Sequence, residues 1–212
     1  MVDMGHREDL LAGARRCLLE KGYAQTTARD IVAASGTNLA SIGYHYGSKD
    51  ALMTAALFQV LEEAAAQLRQ ALDGDEPGEE VRAGEPDGPG ERFAAAWARL
   101  LESFAARREV WAATFDVLAQ ADRVPPLRQA VSEGLQDGRT AWATLLSTVE
   151  EAAGDGAEPA EPGPVGRHAQ AVGALCQALV SGVMVQWLVD PQRAPSGEDL
   201  VDALRAIAAA LS

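Results

Sequence analysis

Cysteine and histidine are scarce in this chain, with two of the first and three of the second among 212 residues. Cys17 and Cys176 fall in different predicted domains, so no structural disulfide is expected, as suits a protein of a reducing cytoplasm. His6, His45 and His168 have no metal-ligand spacing with one another or with the cysteines, which argues against a metal site. A phosphate-cradling glycine loop and a nucleophile elbow are both missing. No catalytic residue and no cofactor is therefore expected, and the chain reads as something other than an enzyme. Long unbroken apolar runs are missing too. The N-terminus has no export-type segment, and the apolar stretch from Leu175 to Val189 is broken by Gln177, Ser181 and Gln186, so neither secretion nor membrane spanning is expected.

Positive charge is also in short supply. The chain holds 31 acidic and 18 basic residues, yet residues 1–60 carry six of each, so the whole net charge of −13 lies beyond residue 60. A neutral head on an acidic body suits a DNA reader whose body must stay off the phosphates, because nonspecific affinity grows with each phosphate neutralised.

What is present is helical punctuation at short intervals. Thr27 is placed to cap a helix starting at Ala28, with Asp30 three residues on as the answering carboxylate of a capping box. Gly36 can end that helix in a left-handed conformation. Asn38 caps a second short helix over Leu39 to Tyr46, in which Ile42 and Tyr46 face inward together, and Gly47 closes it. Ser48 then caps a longer helix from Lys49. Helices below about 12 residues are marginal alone. These two must be held by a preceding helix, Arg7 to Lys21, whose apolar stripe is Leu10, Leu11, Ala14, Cys17 and Leu18. The second short helix turns Thr37, Asn38, Ala40, Ser41, Tyr44 and His45 outward, a row sized for a major groove.

The residues Thr26 to Gly36, Tyr44-His45-Tyr46 and Ser48 to Leu52 resemble the helix-turn-helix domain of the TetR family of bacterial transcriptional regulators. The resemblance is sharp from Leu10 to Val60 and architectural thereafter. It implies an all-α homodimer with a helix-turn-helix DNA-binding domain at 1–48 and a larger helical ligand-binding and dimerisation domain at 49–212. It implies DNA contacts at Thr27, Tyr44, His45 and Lys49 to the backbone, and at Thr37, Asn38, Leu39, Ala40 and Ser41 to bases. Gly43 departs from the family pattern, where an aromatic residue often precedes the Tyr-His pair.

Beyond residue 60, two stretches interrupt the helices. Residues 73–90 hold seven acidic residues and three prolines among eighteen, and 154–166 are similar, so both are expected as flexible loops. A long helix from Lys49 to Leu72 precedes them. Between them, helices over Glu91 to Arg107, Glu109 to Ala121 and onward from Leu127 to Val149 carry three of the four tryptophans and three of the four phenylalanines. Trp97, Phe104, Trp111, Phe115 and Trp142 are candidates for a ligand pocket, with Glu102 or Asp116 as its polar element. Ordinary core packing is the competing explanation for each ring. A helix over Gly166 to Val189 and a last one from Leu200 supply Leu175, Leu179, Val183, Trp187, Leu204, Ile207 and Leu211 as dimerisation candidates, half of a four-helix bundle completed by a second copy.

The resulting expectation is a cytoplasmic, ligand-responsive repressor. It would bind an inverted-repeat operator in double-stranded DNA as a homodimer, and a small-molecule inducer would release it. A helical small-molecule-binding enzyme or an adaptor dimer without specific DNA binding is the alternative, and neither makes use of the groove-facing row.

Overall fold

The computed structural model describes residues 2–73, 89–152 and 167–211. Every regular element among them is a helix: α1 (Val2–Lys21), α2 (Ala28–Ser35), α3 (Leu39–Tyr46), α4 (Lys49–Asp73), α5 (Pro89–Ala106), α6 (Arg108–Ala121), α7 (Pro125–Ala152), α8 (Arg167–Val189) and α9 (Gly197–Leu211). The fold is all-α, a helix-turn-helix head followed by a larger helical part. The loops expected at 73–90 and 154–166 lie outside the described residues, except that Asp73 ends α4 and Pro89-Gly90 begin α5. Proline suits that first helical position because its missing N–H would have no partner there anyway.

Two compact units are present. The first takes the described residues up to 65 together with 107–132, and the second takes 66–106 and 133–212. This division differs from the one expected between residues 48 and 49. Both α4 and α7 contribute to each unit, and α6 packs on α1.

The first unit closes over Leu10, Ala14 and Leu18 of α1, Ile31 of α2 and Ile42 of α3, all buried with Leu52, Met53, Ala56, Leu57 and Val60 of α4. Burying each large aliphatic side chain is worth about 1.5–3 kcal/mol, which is what holds two eight-residue helices that could not stand alone. From α6 the unit gains Val110, Trp111, Ala113 and Val117. Helices α1 and α2 meet closely at Gly13, where an added Cβ would lie 2.9 Å from Ser35 Cβ and 3.1 Å from the Ile31 carbonyl oxygen. Two polar ties join α6 and the residue before it to the same unit. Glu63 bridges Arg15 and Arg107, the latter at 3.4 Å, and the Tyr23 amide donates to Asp116 Oδ2 at 3.0 Å.

In the second unit Phe93, Trp97 and Trp142 form one aromatic cluster, and Phe104 packs against Trp187 with centroids 6.0 Å apart. Helix α9 starts against α5. A Cβ on Gly197 would lie 2.7 Å from the Ala94 carbonyl oxygen and 3.1 Å from Trp97 Cβ. Helices α7 and α8 approach closely where Gly173 backs onto the Arg139 carbonyl. By length and composition alone, α8 is apolar enough over His168–Val189 to cross a bilayer. Its faces are unequal, however. Cys176, Val180, Val183 and Met184 are buried within the unit, while Val172, Leu175, Val185 and Val189 are exposed.

Candidate nucleic-acid interface

The interface is assembled from two caps. Thr27, extended at φ −101° and ψ 160°, accepts the Asp30 amide on its hydroxyl at 3.2 Å, while its own amide and hydroxyl donate to Asp30 Oδ2 at 2.9 and 2.6 Å. Lys21, in the last turn of α1, donates to Asp30 Oδ1 at 2.6 Å. The Lys21 ammonium, then the Thr27 hydroxyl and amide, hold the Asp30 carboxyl far below the usual carboxylate range. Gly36 ends α2 at φ 68°, a conformation glycine takes without steric cost, and the chain reverses in two residues. Arg16 braces the same helix end by donating to the Ala34 carbonyl.

Asn38 then caps α3, its Oδ1 accepting the Ser41 amide at 3.1 Å. The buried side of α3 is Ile42, and the Tyr46 hydroxyl donates to the Arg7 carbonyl at 2.9 Å, with the Arg7 guanidinium 5.4 Å from the ring centroid. Fixing α3 from one side leaves the opposite side outward. Tyr44 is 76% exposed and Leu39 54% exposed, with Asn38, Ala40 and Gly43 exposed beside them. A Cβ on Gly43 would meet nothing within 4 Å. The Tyr44 and His45 rings meet edge-on at 4.9 Å.

The sequence-derived contact residues are not equally free. Thr37 is half-buried, its hydroxyl 2.7 Å from that of Ser35. Ser41 and His45 are half-buried as well. With its Oδ1 already accepting the Ser41 amide, Asn38 has its side-chain N–H groups fully free for a base edge. Lys49 is drawn toward the protein. Its ammonium donates to the Thr26 carbonyl at 3.1 Å and lies 5.6 Å from the Tyr23 ring centroid and 3.8 Å from Asp50 Oδ1. The turn from Gly22 to Thr27 thus ties Lys49, the Thr27 cap and, through the Tyr23 amide, Asp116 together. Sequence spacing gave no sign of this, since Tyr23 and Asp116 are 93 residues apart.

The expected pocket residues separate. Trp97, Glu102, Phe104 and Trp142 belong to the second unit, Trp111, Phe115 and Asp116 to the first. Neither carboxylate is an interior polar element. Glu102 is exposed because its position on α5 faces away from the aromatic side, and Asp116 is occupied by the Tyr23 amide. Phe115 is 40% exposed. Phe93, absent from the expected group, completes the Trp97–Trp142 cluster, and its four-residue spacing from Trp97 was the available signal.

Of the dimerisation candidates, Leu175, Ile207 and Leu211 are exposed, Leu179 and Leu204 half-buried. Val183 is buried inside its own unit, and Trp187 packs beside Phe104, because those positions fall on the inward face of α8. The outward stripe of α8 is instead Ala171, Leu175, Ala178, Gly182, Val185 and Val189, spaced alternately four and three.

Residues 10–56 match the family model described as bacterial regulatory proteins, tetR family. The HTH-type transcriptional repressor Rv1474c of Mycobacterium tuberculosis is 40% identical over 69 residues, covering 32% of this chain and 37% of that protein. The HTH-type transcriptional repressor AcnR of Corynebacterium efficiens is 35% identical over 66 residues, covering 31% and 33%. The aligned part thus spans about a third of the length of these curated relatives. Over the whole fold, a TetR transcription regulator from Haloarcula marismortui superposes with a TM-score of 0.62 at 18% identity, covering 96% of this chain and 94% of that one. A protein from Saccharomonospora viridis solved in complex with choline gives 0.66 at 19% identity, covering 94% and 93%.

Proposed function

Through residues 10–56 this chain belongs to the TetR family of bacterial regulatory proteins, and from that premise we propose that it is a ligand-responsive transcriptional repressor acting as a homodimer in the cytoplasm. The observation that carries this reading is the outward row of α3. A helix fixed by Ile42 and Tyr46 on one side offers Leu39, Ala40 and Tyr44 to solvent on the other, outside the core formed by the described residues. Short side chains at Ala40 and Gly43 allow the helix to approach a groove closely, with Leu39 and Ala40 against thymine methyl groups and the Asn38 amide donating to a base edge. Thr27, Tyr44, His45 and Lys49 then hold the backbone, and Lys49 must exchange the Thr26 carbonyl for a phosphate.

A second copy supplies the second head. The α8 stripe of Ala171, Leu175, Ala178, Gly182, Val185 and Val189 has the alternating four-and-three spacing of a helix-packing seam, and α9 adds Ile207 and Leu211. Exposed apolar side chains at that spacing are best covered by their own symmetry mates. Two α3 helices then enter successive major grooves of an inverted repeat about one helical turn apart. A small molecule received by the body releases the operator if it prefers a conformation whose heads no longer match that spacing. Selection of bound duplexes from a random pool at fixed salt tests the reading. Enrichment of an inverted repeat supports it, and recovery of unrelated sequences with affinity that vanishes at moderate salt contradicts it.

A further inference from the structure

This inference rests on the reading of the body as the ligand-receiving part and names the chemistry of what it receives. Trp97 on α5 and Trp142 on α7 are wholly buried, with ring centroids 5.6 Å apart and planes 30° from parallel. Phe93 leans on both, at 6.0 and 5.7 Å. The indole Nε1 of each tryptophan is sealed from solvent and has no hydrogen-bond partner. Buried donors in native proteins are nearly always paired, and an orphaned one costs stability that a purely apolar ring would not lose. Two such donors on stacked rings are therefore an unmet demand for an acceptor. The buried Nε of Arg92, adjacent to Phe93 in sequence, is a third donor without a partner.

The described residues of the unit do not supply that acceptor. Among its described residues no aspartate or glutamate is buried, and the buried Gln177 Oε1 lies against Gly138 and bonds to neither indole. A cluster of aromatic rings would ordinarily suggest a cation held against ring faces. Here Trp97 and Trp142 turn a face to each other with Phe93 tilted against both, and the unpartnered polar group of each indole is the N–H on its electropositive edge. We propose that Trp97 and Trp142 form the head-group site for a small apolar ligand bearing a hydrogen-bond-accepting carboxylate or carbonyl oxygen.

Three probes with one tail and different heads test this on the full chain: octanoate, octanamide and octyltrimethylammonium. Calorimetric titration is expected to give saturable binding of octanoate, octanamide or both, at least about tenfold tighter than the cation. The indole N–H proton resonances of Trp97 and Trp142 should move downfield on binding. Trp97→Phe and Trp142→Phe, which keep an apolar ring and delete the donor, should each weaken the acceptor-headed probes about tenfold and leave the cation unchanged. Equal or tighter binding of the cation, no saturable binding of any probe, or unchanged affinity in both variants would overturn the proposal. The head-group comparison on the unaltered protein stands even if a variant fails to fold. Duplex binding without any probe is measured separately, and its loss would remove the regulator reading while leaving the head-group result to be judged alone.

Discussion

Asp30 shows how much one side chain organises at the residue scale. It completes the Thr27 capping box and holds the Lys21 ammonium, and its depressed pKa means that the folded state favours the carboxylate. Stability from a depressed acid is fully present above the unfolded value of about 3.9 and is lost as pH falls through the lower folded value. Denaturant midpoints should therefore drop from about pH 4 downward, and Asp30→Asn should lower the midpoint at neutral pH while flattening that acid slope. A variant slope equal to that of the unaltered chain would remove Asp30 from this role. The capping box was legible because its partners are three residues apart. The Tyr23 amide as partner of Asp116 is not legible in the sequence, because the two are remote along the chain and residue type alone does not reveal which surface α6 presents to α1.

Among the elements, the bounds of α2 and α3 follow from Thr27, Gly36, Asn38 and Gly47, each with a local physical reason, and the observed helices begin and end where those residues direct. Glycines inside helices are a different matter, because periodicity carries no information on distance to a neighbour. Gly13 and Gly43 look alike in sequence and differ in surroundings: a Cβ at the first meets Ser35 and backbone, and at the second meets nothing. Gly13→Ala should destabilise the head by about 1–3 kcal/mol by forcing α1 from α2. Gly43→Ala should stabilise it by about 0.5–1 kcal/mol through helix propensity. Chemical denaturation of both variants checks the pair, and effects of the same sign would contradict the packing described. The ligand candidates were legible only as aromatic helix faces. Which rings meet, Trp97 with Trp142 and Phe104 with Trp187, depends on how helices from distant parts of the chain are paired.

For the whole molecule, the proposed symmetric target requires two copies, and the exposed apolar stripe of α8 is the proposed seam. The apolar character of α8 is legible in the sequence, but the helix is apolar nearly all round and its sequence does not say that the rest of the chain claims the side of Val183 and Trp187. Val185→Glu places like charges across the proposed seam without disturbing a buried residue, so sedimentation equilibrium should show monomers in place of dimers, with operator affinity falling in parallel. A variant that stays dimeric would move the interface elsewhere. The central claim, that the outward face of α3 reads duplex DNA, is tested most directly at Tyr44, the most exposed of its large side chains. Fluorescence anisotropy on the selected inverted repeat should show Tyr44→Ala binding at least about tenfold more weakly, the loss expected for a hydrogen-bonded contact to a charged phosphate, with an unchanged melting temperature. Unchanged affinity for that duplex in the folded variant would contradict the account.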